Sequence, residues 1–430
     1  MEMLVIKGGN PLEGSVKISG SKNSCLPIIA ASILAEEPVT LLEVPFLSDV
    51  KNMISVLEHL GAEVEKGEES LTIKSGCMTG TEIPPYELIS KMRASFLTAG
   101  PLLARQGEVN LYMPGGCEIG TRPIDLHLKG FKALGARVEV GHGSVHVRGG
   151  NLIGDRIYLD FPSVGATENI MMAAVKARGT TVIENAAEEP EIIDLARFLN
   201  SLGAKVQGAG TKIIKIKGVE ELGGTTHGVI PDRIEAGTFM TAAAINRNEI
   251  ILENVIMEHL KAAVAKLKEA GADIEEISEG RVRVDGTNCI GPLDIKTLPY
   301  PGFPTDMQAQ FMAMLTLAKG TSVITETIFE NRYMHVNELK RMGANIRLEG
   351  SSAIIQGVES LSGTTVQCTD LRAGASLVLA GLAAQGETRV LQVEHLDRGY
   401  SQLDEKLCRL GADIRRVKLG EKCPTFLSLR

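Results

Sequence analysis

Four stretches of the chain carry residue types that could do chemistry. In SGSKNSCLPI, Ser19 to Ile28, Lys22 and Asn23 sit in a Gly/Ser turn ahead of an apolar, helix-like run. A cation backed by a helix N-terminus holds an anion well, and a solvated turn lysine is an equally open reading. Ser19 and Lys22 also match the SxxK of penicillin-recognising enzymes, but no S-D-N or K-T-G partner accompanies them. In MPGGCEIGTRPIDLHLKGF, Met113 to Phe131, three glycines bracket Cys117, with Arg122 nearby. A thiol on a glycine loop in positive potential is a candidate reactive cysteine, against the plainer reading of a surface thiol without a role. Pro123 suits the first turn of the helix that follows. In PYPGFPTDMQAQF, Asp306 stands at a helix start, where it is either an N-cap or a general base. Finally, Arg93, Arg233, Arg332, Arg372 and Arg398 fall in what read as polar loops. Each alone suits a structural ion pair; together they suggest an anion-binding cleft between domains.

The elements that must hold these residues come from an internal repeat. A helix-like apolar stripe ends in a Gly-Ala pair and is followed by an alternating hairpin. The copies begin at Gly61, Gly135, Gly203, Gly271, Gly343 and Gly411. Each glycine reads as a left-handed helix stop. A further strand signal recurs as PVTLLEV, EVNLYMP, TTVIENA, EIILENV, TSVITET and TRVLQVE. Units of this length are too long for a solenoid and predict an α/β (α+β) class, three units to a domain, with a crossover near 223–233.

Composition narrows the function classes. A net charge of −8 and the absence of Trp argue against a nucleic-acid surface. Seven cysteines without a CxxC pair support neither a zinc ribbon nor a redox motif, and most read as reduced core filler. The start MEMLVIKGGN lacks the features of a signal peptide, and the run Leu26 to Ala35 is too short to span a bilayer, so a cytoplasmic protein is expected.

The motifs SGSKN, PGGCEIGTRPIDLH, ENAAEEPEIID, PDRIEAGTF, FPTDMQAQF, ETIFENRYMH and TDLRAGASLVLAG together resemble the enolpyruvyl transferase superfamily, on the side that uses UDP-N-acetylglucosamine. The sister side, acting on shikimate 3-phosphate, has SKS rather than SKN and lacks the Cys-bearing glycine loop. The resemblance covers the chain to about Lys418. It implies two similar inside-out α/β barrel domains of three repeats each, at 22–230 and at 1–21 plus 231–430, with the active site in the cleft between them. It implies transfer of the enolpyruvyl group of phosphoenolpyruvate to the 3-hydroxyl of UDP-N-acetylglucosamine through a tetrahedral intermediate, toward peptidoglycan, with no metal, no cofactor and no nucleic-acid or membrane partner.

Residue by residue, the resemblance makes Lys22, Asn23, Arg122, Arg332, Arg372 and Arg398 contacts of phosphoenolpyruvate. Cys117 is the acid that protonates the enol carbon, forms an adduct and would be alkylated by fosfomycin. Asp306 is the carboxylate at the sugar hydroxyl. Asn23, Arg93, Arg122, Pro123, Ile124, Asp125, Leu126, Ser163, Val164, Gly165, Asp306 and Ile328 are the UDP-sugar contacts, and Glu189, Arg233 and Asp370 are further members. Two departures stand out: Phe161 where some members have Lys, and the tail after Gly420. A non-catalytic UDP-sugar-binding paralogue and a 3-phosphoshikimate 1-carboxyvinyltransferase are the alternatives.

Overall fold

A computed structural model describes residues 2–76, 78, 84–113, 123–141, 143–288 and 290–418, with Ser90 and Lys91 described in backbone only. Cys117 and Arg122 lie outside the described residues. The described chain divides into two compact units: 19–232 with 299–301, and the remainder. Each has its own apolar core, one built from Cys25 to Val229, the other from Leu4 to Ile18 and Ile234 to Ile414.

Among the described residues, six small sheets carry the repeat. Five have four strands and share one pattern, a parallel pair extended by two antiparallel strands. Thr225–Gly228 runs parallel to Val39–Leu42, which pairs antiparallel with Ser70–Lys74 and then Glu63–Lys66. Ser15–Lys17, Glu249–Glu253, Arg281–Asp285 and Asp273–Ser278 repeat it. In the last sheet the chain's first strand, Glu2–Lys7, takes the place of a hairpin strand between Glu387–Leu391 and Asp413–Lys418. The sixth repeat is thereby completed by the N-terminal segment.

All six repeat glycines have positive φ, from 90° at Gly135 to 111° at Gly271. Each stops an outer amphipathic helix such as Pro190–Ser201 or Lys261–Ala270, as its spacing predicts. Inside each unit the sheets cover helices buried on nearly every side. Arg233–Asn246, Gln308–Leu315 and Leu371–Ala383 pack on one another in the later unit, and Ala99–Gln106 packs on Val164–Ala174 in the earlier one. Sequences such as QAQFMAML have no polar face because solvent never reaches them.

Several candidate site residues lie at or just ahead of the N-terminal ends of buried helices. Lys22 is the first residue of Lys22–Ala31, Arg233 of Arg233–Asn246, and Arg372 the second of Leu371–Ala383. Arg93 opens a 3-10 turn, Arg93–Thr98, ahead of Ala99–Gln106, and Asp306 sits in another, Thr305–Met307. Arg93, Arg233, Arg372 and Arg398, the last residue of the 3-10 helix Val393–Arg398, are therefore in helical turns, not in the polar loops expected. Lys22 is likewise inside its helix, because Ser21 supplies the cap by accepting from Ser24 N–H. Pro123 stands ahead of its helix, which begins at Asp125 after Ile124.

At Gly203 φ is 108° and nothing lies within 4 Å of an added Cβ, so Gly203→Ala meets backbone strain alone. It should lower unfolding free energy by about 1 kcal/mol. Gly228→Ala, with equal space and no positive φ, should change it by less than half as much in the same urea titration. Equal effects would contradict the assignment of the repeat glycines as helix stops.

Candidate active site

In the earlier unit the first buried helix is fastened at its start. Ser24 Oγ donates to Asp194 Oδ2 at 2.5 Å, and the same carboxylate meets His227 Nε2 at 3.0 Å and Ile230 N–H at 3.3 Å. Lys22 N–H donates to Asp232 Oδ2 at 3.3 Å, and Lys22 Nζ lies 3.3 Å from Asp49 Oδ2. Lys22 is 8% exposed and Asn23 half-buried. A cation this desolvated attracts an anion strongly.

The third buried helix, Val164–Ala174, is capped by Ser163, whose Oγ accepts from Ala166 N–H at 3.3 Å. Val164 and Gly165 occupy its first turn, where backbone N–H groups lack intrahelical acceptors and suit a phosphate. Gly165 admits a close neighbour: a Cβ there would stand 3.3 Å from His127 Cε1. Arg93 Nη2 donates to Pro123 O at 3.1 Å, tying the second repeat's turn to the Pro123 to Leu126 segment. Ile124 is buried, Leu126 half-buried, and Pro123 and Asp125 exposed.

Two groups here escaped the sequence reading. His127 is buried, takes a hydrogen bond at Nδ1 from Asn169 Nδ2 at 3.0 Å and abuts the Phe96 ring edge. Burial, with the charge of Arg93 beside it, pushes its pKa down to about 3, so the ring is neutral. Glu168 is buried in the same helix, and burial followed by the charges of Glu191 and Glu189 holds its carboxyl well above the usual range. An acid just ahead of the apolar run IMMAA was the available signal. Glu189 stands at the start of Pro190–Ser201 without capping it.

In the later unit a single line of polar contacts organises the candidates. Glu326 is buried and accepts from Thr297 Oγ1 and Thr305 Oγ1, each at 2.8 Å, and from Ile328 N–H at 2.8 Å. Thr305 Oγ1 in turn accepts from Arg332 Nη1 at 2.9 Å. Arg332 Nη2 donates to Asp306 Oδ1 at 2.7 Å, and Arg372 Nη2 to Asp306 Oδ2 at 2.9 Å. Both guanidinium groups are almost wholly buried, at 4% and 2% exposure.

Asp306 thus does not cap its helix, as one expectation had it; its oxygens are taken by two arginines. Burial alone would raise its pKa, but the charges and hydrogen bonds of Arg332 and Arg372 outweigh that and hold it well below the usual carboxylate range. Its contribution to stability is present above the unfolded value near 4 and is lost only as pH falls below it. Asp370 is the residue that caps, its Oδ1 accepting from Arg372 N–H and Ala373 N–H at 2.8 and 3.0 Å. It fixes the helix that presents Arg372, whose guanidinium also lies 5.3 Å from the centre of the Tyr400 ring. Ile328 is half-buried, as are Arg233 and Arg398 at their helical ends.

Cys25 and Cys368 are buried thiols, raised in pKa chiefly by burial, while Cys408 is exposed. No helix among the described residues is long and apolar enough to cross a membrane.

The family profile described as EPSP synthase (3-phosphoshikimate 1-carboxyvinyltransferase) matches residues 6–407. A protein of Caldanaerobacter subterraneus subsp. tengcongensis named UDP-N-acetylglucosamine 1-carboxyvinyltransferase 1 is 60% identical over 96% of this chain and 99% of its own. One of Carboxydothermus hydrogenoformans, named UDP-N-acetylglucosamine 1-carboxyvinyltransferase 2, is 59% identical over 97% of this chain and 100% of its own. Among solved structures, the enolpyruvyl transferase NikO from Streptomyces tendae is similar at a TM-score of 0.87 and 25% identity, covering 97% of this chain and 99% of that one. EPSP synthase from Acinetobacter baumannii shares the fold at 0.77 and 20% identity, covering 97% and 100%. The mixed α/β class expected from the repeats is the class of these structures.

Two buried neutral histidines give the pH dependence a sign. His127 and His335 have pKa values pushed down to about 3 and about 4, chiefly by burial. The unfolded chain protonates both from about pH 6.5, so each costs stability as pH falls, about 2 kcal/mol by pH 5. His127→Gln should remove roughly half of that loss when urea unfolding is compared at pH 7.5 and 5. An unchanged loss would show that His127 is not buried neutral.

Proposed function

We propose that this chain, which belongs to the EPSP synthase (3-phosphoshikimate 1-carboxyvinyltransferase) family of enolpyruvyl transferases, moves the enolpyruvyl group of phosphoenolpyruvate to the 3-hydroxyl of UDP-N-acetylglucosamine and releases phosphate. The chain is a transferase of that family. High identity over nearly full length to relatives named for the UDP-sugar supports that acceptor. The product is the first committed precursor of peptidoglycan, made in the cytoplasm, where both small-molecule substrates are.

The observation that carries the mechanism is the Asp306 carboxylate held between Arg332 and Arg372. A carboxylate so paired is a poor base. Phosphoenolpyruvate brings a carboxylate and a phosphate that compete for those guanidinium groups, with Lys22, Asn23, Arg122 and Arg398 as further partners. As the arginines turn to the substrate, Asp306 recovers basicity and accepts the proton of the sugar hydroxyl. The base is therefore switched on by the reactant it serves.

Cys117 gives its proton to the methylene carbon of phosphoenolpyruvate while the sugar oxygen bonds to the adjacent carbon. The resulting tetrahedral intermediate then returns a proton from its new methyl group to the Cys117 thiolate as phosphate leaves with the proton held on Asp306, giving the enol ether and restoring both groups. The fixed cations stabilise charge on the phosphate throughout. The first-turn amides of Val164 and Gly165, with Arg93 and the Pro123 to Leu126 segment, hold the nucleotide diphosphate, and Ile328 lies along the sugar. Glu189, Arg233 and Asp370 support these groups. Phe161 is exposed beside Ser163 and offers the nucleotide an apolar face in place of a lysine.

Phosphate release from phosphoenolpyruvate, followed with UDP-N-acetylglucosamine and with shikimate 3-phosphate in parallel, tests the acceptor. Release is expected with the UDP-sugar alone; release with shikimate 3-phosphate alone would overturn the acceptor and keep the family. Asp306→Asn should lower kcat by roughly a hundredfold or more, the scale of a lost general base. A kcat within about threefold of the parent would remove Asp306 from the chemistry.

A further inference from the structure

Arg398, proposed above to hold phosphoenolpyruvate, ends a short 3-10 helix, Val393–Arg398. Such a helix has few hydrogen bonds of its own, so its neighbours decide where its last side chain points. One anchor lies just beyond it. Tyr400 is 2% exposed, and its hydroxyl meets Thr238 Oγ1 at 3.0 Å and Gln310 Nε2 at 3.1 Å in the core.

The other anchor is Arg416. It lies on the strand Asp413–Lys418, whose register against Glu2–Lys7 pairs Leu4 with Arg416. Its Nη1 and Nη2 donate to Asp397 Oδ2 and Oδ1 at 2.8 and 2.7 Å, a two-pronged grip on the residue next to Arg398. Nε and Nη2 also reach Asp404 at 3.2 and 3.3 Å, and Nη1 reaches Glu2 Oε2 at 3.2 Å. One guanidinium thus joins three carboxylates on three separate elements. These groups are partly exposed, so the contribution to stability is small. The geometric constraint is large, because only a planar fork can meet both oxygens of Asp397 while keeping Asp404 in reach.

We propose that Arg416 is a positioning residue for the enolpyruvyl donor: by occupying both oxygens of Asp397 it sets the direction of Arg398 and keeps the adjacent carboxylate from competing with phosphoenolpyruvate for it. The inference rests on the reading that Arg398 binds that donor. Arg416 itself touches no substrate.

The test is steady-state phosphate release by the full chain and by Arg416→Gln, Arg416→Lys, Asp397→Asn, Arg398→Ala and the Arg416→Gln/Arg398→Ala double variant, each with a thermal melt. Arg416→Gln should raise KM for phosphoenolpyruvate about tenfold and move KM for the UDP-sugar less than about twofold. Arg416→Lys should not restore the donor KM, and Arg416→Gln should add nothing once Arg398 is Ala. Should Arg416→Gln fail to fold, Asp397→Asn, which leaves the guanidinium and its other partners, must show the same selective rise. Equal changes in both KM values, rescue by Lys, or a full effect in the Arg398→Ala background would overturn the inference. A parent protein that releases no phosphate from phosphoenolpyruvate would overturn the functional reading itself, and the inference with it.

Discussion

The later unit turns on one carboxylate shared by two buried guanidinium groups. Arg332 and Arg372 could not be buried so fully without Asp306 between them, since an unpaired charge in that position costs several kcal/mol. The pairing extends through Thr305 to Glu326, which collects hydroxyl and amide donors from the strand ends around it. Two guanidinium groups share one carboxylate, and each takes one of its oxygens. An anion that brings two charged groups can compete with Asp306 for both guanidinium groups. The same contacts hold the Asp306 carboxylate ionised and paired.

The repeat explains why the charged groups gather at the same kind of place. Each unit buries helices end-on behind small sheets, and the N-terminal end of a helix is where backbone donors go unpaired. A lysine or arginine there opposes the helix dipole and is retained only with a partner. Lys22 has Asp49, and Arg372 has Asp306. Asp370 satisfies the first turn of the helix that presents Arg372, and Ser163 does the same for the helix that begins at Val164. The geometry of the candidate site thus follows from how these helix starts are capped and paired.

What could be read from the chain in advance follows from how local each requirement is. The glycine stops are single-residue needs, and all six of Gly61, Gly135, Gly203, Gly271, Gly343 and Gly411 have the left-handed φ that the spacing predicts. The buried helices carry no stripe, so periodicity could not place Arg372 inside a helix. Asp306 could be named but not understood. Arg332 lies 26 residues on in the same repeat and Arg372 66 residues on in the next, and no local rule distinguishes a cap from a clamped carboxylate. His127 and Glu168 went unnoticed because their burial is a tertiary fact, although an acid just ahead of an apolar run is visible in the letters. The grip of Arg416 on Asp397 depends on the register of the chain's two end strands, which no motif encodes.

The account stands or falls on whether Asp306 is held ionised by its arginines and released by the donor. Carbon-13 NMR of aspartate-labelled protein, with Asp306→Asn to assign the resonance, follows that carboxyl directly during an acid titration. The prediction is that Asp306 stays ionised where ordinary aspartates protonate, near pH 4, and that its titration moves upward when phosphoenolpyruvate is added. Titration alongside the ordinary aspartates, or a position indifferent to phosphoenolpyruvate, would contradict it.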